Sequence, residues 1–253
     1  MKKYLILALL AFVSANASAA SLFSDNFNTY ADGSLITVSG GIWANHSGTT
    51  LGQVDVQSGA VNLTATESED VNAQITGGPY TSGLLYYSLT VNFSVLPAVA
   101  GGYFAHFKDT TTTGFRARLF ATTNGAAPGF YRLGINNGST PISATFSTDL
   151  SLGSAYQAVV RYDAGLVATT LWVNPTLETD PSVTATDVVT PLPITSIALR
   201  QSSVTGGSMG TLTVDNVLVG TSFADVVPVP EPSSIMLVSL GGLLGLFRLR
   251  RKH

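Results

Sequence analysis

The densest cluster of acids in this 253-residue chain is Glu67-Ser68-Glu69-Asp70. Glycoside hydrolysis uses two carboxylates, ~5–5.5 Å apart when configuration is retained, and alternate residues of a strand share a face. Glu67 and Glu69 have that spacing, but position 71 is Val71, so no third carboxylate continues the face. The cluster lies between two apolar stretches and reads as a solvated loop. Nucleophilic chemistry is no better supplied: there is no cysteine and no Gly-x-Ser-x-Gly elbow. His46 and His106 are scattered and have no thiol beside them, which does not make a zinc set. His46, within Trp43-Ala44-Asn45-His46-Ser47-Gly48, reads as a loop residue. These residue types predict a protein that is not an enzyme.

One patch has binding chemistry. If Tyr103 to Lys108 and Phe115 to Ala121 pair as strands across Asp109 to Gly114, strict alternation puts Tyr103, Ala105, Phe107, Phe115, Ala117 and Leu119 on one face. The opposite face then carries Phe104, His106 and Lys108 with Arg116, Arg118 and Phe120. Guanidinium groups between aromatic rings suit acidic glycans. The plain alternative is a solvated outer face whose cations offset an acidic body, and the sequence alone favours it.

The elements that must position these residues have a period of two. Leu85, Tyr87, Leu89, Val91, Phe93 and Val95 are alternate and apolar, with Tyr86, Ser88, Thr90, Asn92 and Ser94 between them. That predicts a half-buried strand with one dry face. Shorter alternations recur around Val61, Tyr131, Val160, Leu171, Leu199 and Val214, separated by Gly77-Gly78-Pro79, Gly101-Gly102, Asn136-Asn137-Gly138 and Asp163-Ala164-Gly165. No stretch of the body has a capped helical pattern. Many short strands predict an all-β, single antiparallel sandwich or jelly roll. A body of about 200 residues can bury a core without disulfides.

Both ends read as targeting segments. Lys2 and Lys3, the apolar run Leu5 to Val13 and the small residues Ala17-Ser18-Ala19, with Ser18-Ala19-Ala20 one step later, form a secretory signal peptide over 1–20. Its expected partners are Sec-type export machinery and signal peptidase. At the other end, Pro230-Glu231-Pro232 precedes the uncharged run Ile235 to Phe247 and the basic tail Arg248-Leu249-Arg250-Arg251-Lys252-His253. As a helix that run rises ~20 Å, against a hydrocarbon core of ~30 Å, so it is a short, transient membrane segment. The basic tail stays cytoplasmic. Removing both ends leaves six of the 12 basic residues and 14 of the 15 acidic ones, a formal charge of −8 for a body spanning 21–227. Such a body has no electrostatic reason to hold a phosphate backbone, so nucleic acid is not a partner.

The order Pro-Glu-Pro, short apolar run, basic tail over 228–253 resembles the PEP-CTERM sorting signal of exported bacterial proteins. The resemblance implies processing by a membrane-embedded exosortase near Pro230, Glu231 and Pro232, with Arg248, Arg250 and Arg251 as the retained basic end. Phe23 to Leu35, the pair Tyr156 to Asp163 and Ala168 to Pro175, and Leu212 to Gly220 resemble concanavalin A-like, laminin-G-like jelly rolls. Some relatives of that kind cut polysaccharides with a Glu-x-Asp-x-Glu strand, which is absent here. No motif demands a cofactor. The same resemblance implies a structural calcium ion where first and last strands meet, at Asp25, Asn26, Asp215 and Asn216, because Ca²⁺ takes six to eight oxygen ligands. The plain reading is that these Asp and Asn side chains satisfy backbone groups at strand ends and bulges. The expectation is an exported cell-surface or extracellular-matrix protein whose jelly roll binds carbohydrate. The alternative is a hydrolase or lyase of the same fold.

Overall fold

The structure, a computed structural model, describes residues 21–227 apart from 49, 140 and 202–207. The expectations on Ala17, Ala19 and Ala20, on Pro230, Glu231 and Pro232, and on Arg248, Arg250 and Arg251 lie outside the described residues. Among the described residues, no helix is long and apolar enough to cross a membrane.

The strands in chain order are β1 (Phe23–Asp25), β2 (Gly33–Ser34), β3 (Trp43–Ser47), β4 (Asp55–Gln57), β5 (Ala60–Leu63), β6 (Asp70–Gln74) and β7 (Leu84–Val95). They continue with β8 (Gly102–Lys108), β9 (Phe115–Thr122), β10 (Phe130–Asn136), β11 (Ala144–Thr145), β12 (Leu150–Ser151) and β13 (Ala155–Asp163). The last are β14 (Ala168–Val173), β15 (Val183–Thr184), β16 (Ser196–Arg200) and β17 (Thr211–Gly220). Two single-turn helices, α1 (Leu35–Val38) and α2 (Phe223–Val226), complete the set; four residues are too few to leave a helical period in the sequence. Sheet A runs β15-β14-β13-β7-β17-β5-β4-β2, with β1 also on β17. Sheet B runs β11-β10-β9-β8-β16-β6-β3, with β12 also on β10. The body is therefore the antiparallel β-sandwich of jelly-roll type that the period-two pattern predicts.

β7 shows why the sheets close on each other. Leu85, Tyr87, Leu89, Val91 and Phe93 are fully buried between the sheets, each worth ~1.5–3 kcal/mol of burial. Phe93 meets Tyr131 of β10 at 4.4 Å and Phe104 of β8 at 5.8 Å, and Tyr87 meets Phe107 edge-on at 5.0 Å. The Tyr87 hydroxyl donates across the gap to the Ala117 carbonyl at 2.8 Å, so its polar tip is satisfied in the core. The alternation fails at Val95, which is exposed.

The other side of β7 is not solvated. Tyr86 joins Val159, Trp172, Val226 and Val227 in a second apolar cluster on the outer face of sheet A, with Phe223 packed against it. α2 closes this cluster: Phe223 sits edge-on to Tyr86 at 6.4 Å and to Trp172 at 5.7 Å. A capping box between Ser222 and Asp225 starts the turn, and the Val226 carbonyl accepts from Ser88 Oγ at 2.8 Å. Trp172 is thus a packing residue, with its Nε1–H donated to the Glu178 carbonyl.

The chain ends meet as expected. β1 pairs with the end of β17, Asp25 opposite Val217, and β17 carries a bulge between Asp215 and Leu218. Asn216 takes φ 51° there, a left-handed conformation that Asn tolerates better than most residues.

Candidate functional site: the outer face of sheet B

β8 and β9 do pair across Asp109 to Gly114, but not in simple alternation. The register shifts between Tyr103 and Ala105 and again between Ala105 and Phe107, and Ala117 in β9 adopts φ 52°. Each bulge inserts a residue and reverses which side chains face outward. Phe104 consequently packs in the core against Phe93, correcting its expected outward place. Arg116 also leaves the expected face: it is buried, and its Nε and Nη2 donate to the Thr190 carbonyl, tying down a crossing segment. Tyr103 and Phe115, expected to face inward, take their places outside. Ala117 is neither Gly nor Asn, so nothing in the sequence signals this bulge.

The outer face that results gathers Tyr103, His106, Lys108, Phe115, Arg118 and Phe120. Tyr103 lies 5.5 Å from both His106 and Phe120, and His106 lies 4.3 Å from Phe115. Arg118 stacks over Tyr103 at 4.8 Å and Phe115 at 5.5 Å. Two further residues join from β16 and β3 of the same sheet. Arg200 of β16 stacks over Tyr103 at 4.1 Å, and His46 approaches His106 and Phe115, each at 5.9 Å. His46 sits in strand β3, not in the loop expected for it. Arg200 was legible, since Ile197 and Leu199 point inward and alternation turns their successor out. His46 was not, because β3 has no apolar alternation.

This is not an open cationic surface. His106 is fully buried, Lys108, Phe115 and Phe120 nearly so, and Tyr103, Arg118, Arg200 and His46 are half-buried. Both ring nitrogens of His46 and of His106, and Nε of Arg118, are buried without a partner among the described residues. Burial, reinforced by the charge of Lys108, lowers the His46 pKa to about 4. Burial, then His46 and the nearby arginines, holds His106 well below the ordinary histidine range. Both rings are neutral at pH 7. Beside them a hollow of about 380 Å³ opens between β3, β6, β8 and the loop after β8, lined by Ala44, Asn45, His46, Asn72, Gln74, Lys108 and Thr110 to Thr112.

The acid cluster has a different place from the one expected. Glu69 is fully buried: Oε1 accepts from the Gly52 N–H and Oε2 from the N–H groups of Gln53 and Val54, at 2.7–3.0 Å. It holds a loop, whose backbone donors compensate a buried carboxylate. Asp70 opens β6 and accepts from Ser47 Oγ at 2.6 Å and the Gln201 N–H at 3.1 Å, with Arg200 at 3.9 Å. Burial raises its pKa. Neither carboxylate is free to act as acid or base on a ligand, and the solvated-loop reading of this cluster is corrected.

Of the residues considered for calcium, Asp25 pairs opposite Val217, next to Asn216, and its charge acts on Asp215. Asp25 Oδ1 accepts from the Phe27 N–H at 2.9 Å, and Oδ2 from the Tyr30 O–H and Trp43 Nε1–H, both at 2.8 Å. Asp215 accepts from the N–H and Nδ2 of Asn216, and Asn26 Oδ1 accepts from the Asn28 N–H. Protein donors therefore engage the carboxylate oxygens of Asp25 and Asp215 and Oδ1 of Asn26, as the plain reading has it. Among the described residues, no group of three His, Cys, Asp or Glu is placed to hold a metal ion.

The PEP-CTERM protein-sorting motif matches residues 228–252, starting at the residue after Val227, where the described body ends. No curated protein matches the chain in sequence. Among solved structures it is similar to lectin II from Ulex europaeus, at 15% identity over 79% of this chain and 99% of that one, TM-score 0.48. It is also similar to the carbohydrate recognition domain of Emp47p, at 14% identity over 82% of this chain and 99% of that one, TM-score 0.47. A third is alginate lyase from Alteromonas sp. 272, at 12% identity over 72% of this chain and 94% of that one, TM-score 0.42.

Proposed function

We propose that this chain is an exported, non-enzymatic protein of the cell surface or extracellular matrix, sorted through its C-terminal motif, with a β-sandwich body that binds carbohydrate on the outer face of sheet B. The observation that carries the reading is the sorting-motif match over 228–252, directly after a body clamped shut by α2. On this reading Sec-type machinery exports the chain and signal peptidase cuts after Ala19 or Ala20. An exosortase-type enzyme then processes it near Pro230-Glu231-Pro232, while Arg248, Arg250 and Arg251 hold the tail on the cytoplasmic side. The binding face is supported by its chemistry. Tyr103 and Phe115 offer rings, Arg118 and Lys108 offer cations, and Asn72 and Gln74 offer amides to sugar hydroxyls. Arg116 and Phe104 are not part of it. No metal enters this reading, since Asp25 and Asp215 serve the fold.

The test of sorting is replacement of Pro230-Glu231-Pro232 by alanines in the full chain. Export is expected to persist while processing stops, seen by mass spectrometry as a retained C-terminal tail. An unchanged mature C-terminus would refute the reading.

A further inference from the structure

The hollow beside His46 stands out because it is cationic in a body of formal charge −8. The charged and titratable groups around it can be followed one by one. Lys108 Nζ has one protein partner, the Asp109 carbonyl at 2.7 Å, so two of its three N–H donors are left over. The two nearby carboxylates are engaged. Asp109 Oδ1 accepts from the N–H and hydroxyl of Thr111, and Asp70 is held by Ser47, the Gln201 N–H and Arg200. Arg200 and Arg118 lie over aromatic faces, His106 stands behind His46, and the buried ring nitrogens of both histidines have no partner among the described residues. Buried polar atoms without partners are costly, and native proteins rarely leave several together without a use. Asp109 offsets part of the Lys108 charge; what remains, next to nitrogens without a partner among the described residues, suits an anion. The lining also offers Asn45, Asn72, Gln74 and the hydroxyls of Thr110 and Thr112, which suit the hydroxyl groups of a sugar ring. A volume of about 380 Å³ is at the lower end of the ~300–1,000 Å³ usual for small-molecule pockets, enough for about one or two pyranose rings.

We propose that this hollow binds an acidic sugar residue, a pyranose bearing a carboxylate or a sulfate, through Lys108 and His46, and that binding tightens as the medium becomes mildly acidic. The inference rests on the carbohydrate-binding reading above and narrows it to a ligand class and a control. The acid response follows from linkage. In the free protein His46 takes up its proton only near pH 4. An anion in contact raises a neighbouring pKa by ~1–3. If the bound value is ~6, binding is about tenfold tighter at pH 5 than at pH 7.5. Uronate and sulfate both keep their charge over that range, so the ligand side does not cancel the gain.

The experiment measures binding of the body, residues 21–227 expressed within the exported full chain, to a polyuronate, a sulfated galactan and a neutral glucan at pH 7.5 and pH 5. Expected are retention on one or both acidic polymers, none on the glucan, and a gain of about tenfold at pH 5. Which acidic polymer binds identifies the anion. Thr112→Glu, at an exposed lining position, should abolish retention by repelling the anion with the melting temperature unchanged. His46→Asn should abolish the acid gain. Lys108→Gln is a further check, read only if it folds. Equal retention on the neutral glucan, a flat pH response, or indifference to Thr112→Glu would overturn this inference and leave carbohydrate binding standing. No retention on any polymer would overturn the carbohydrate reading itself.

Discussion

Lowering the pH from 7.5 to 5 should destabilise the free body through its buried histidines. A histidine whose pKa is depressed in the fold takes up its proton more readily when unfolded, so unfolding binds protons and stability falls as pH falls. The full contribution is present above the unfolded value of ~6.5 and drains away as the pH drops toward the folded value. For His46, with a folded value of about 4, the linkage integral at pH 5 is ~2 kcal/mol. His46 is half-buried, so solvent screening reduces this to ~1 kcal/mol. His106 adds loss of the same sign, since burial holds it well below the ordinary range. The carboxylates do not mimic the effect. Asp149, Asp180 and Asp187 have lowered pKa values, so their contribution is lost only below the unfolded carboxylate value of ~3.9. Asp70 and Asp215, both raised chiefly by burial, act in the opposite sense and would oppose the loss. Urea unfolding at half-unit pH steps should show the midpoint falling from pH 7 to 5, with a thermal shift of ~2–4 °C per kcal/mol for a body of this size. His46→Asn should flatten part of the slope. A profile level between pH 7.5 and 5, or one equally steep in His46→Asn, would refute the reasoning.

Two further perturbations test the fold's anchors. Asp25→Ala leaves the buried Trp43 Nε1–H and Phe27 N–H without acceptors and should cost about 3 kcal/mol, a fall of roughly 6–12 °C in melting temperature. Wild-type melting should be the same in calcium and in EDTA, and a calcium-dependent rise would return Asp25 and Asp215 to cation binding. Ending the chain at Val227 should leave the melting temperature unchanged. Ending it at Gly220 strips α2 from Tyr86 and Trp172 and should cost roughly 2–4 kcal/mol with new binding of an apolar dye.

What the sequence disclosed depended on whether a residue's direction followed from its neighbours. Strand β7 was legible because six alternate apolar residues were expected to share one face, and five of them are buried while Val95 at the strand's end is exposed. The contact of first and last strands followed only from the jelly-roll resemblance; Phe23 to Asp25 pair with Val217 to Val219. The candidate site was legible only in part. His106, Lys108, Arg118 and Phe120 do share a face, yet Phe104 and Arg116 are turned inward by bulges. A bulge at Ala117 is fixed by tertiary pairing with β8 and has no residue signature of its own. Glu69 was misread for a related reason. Its partners, the N–H groups of Gly52 to Val54, are backbone groups about 15 residues away, and backbone donors leave no trace in side-chain composition.

On the proposed reading, sorting and binding occupy opposite sides of the sandwich. The joint to the sorting motif leaves from the outer face of sheet A, where Ser88 and the rings of Tyr86 and Trp172 hold α2 down to Val227. The hollow opens on the outer face of sheet B, with the whole core between. Seven residues, three of them proline, separate Val227 from the start of the apolar run at Ile235, a reach of at most ~25 Å in extended form. If the proposed sorting holds the body at a membrane by its sheet A side, sheet B is directed away, and a polysaccharide chain and the processing enzyme need not compete for one surface. The two sets of substitutions should then be independent. The alanine replacement of Pro230-Glu231-Pro232 should bind acidic polymer as the wild type does, and Thr112→Glu should be processed as the wild type is. Loss of processing in Thr112→Glu, or loss of binding in the alanine variant, would mean that the two faces are coupled through the sandwich.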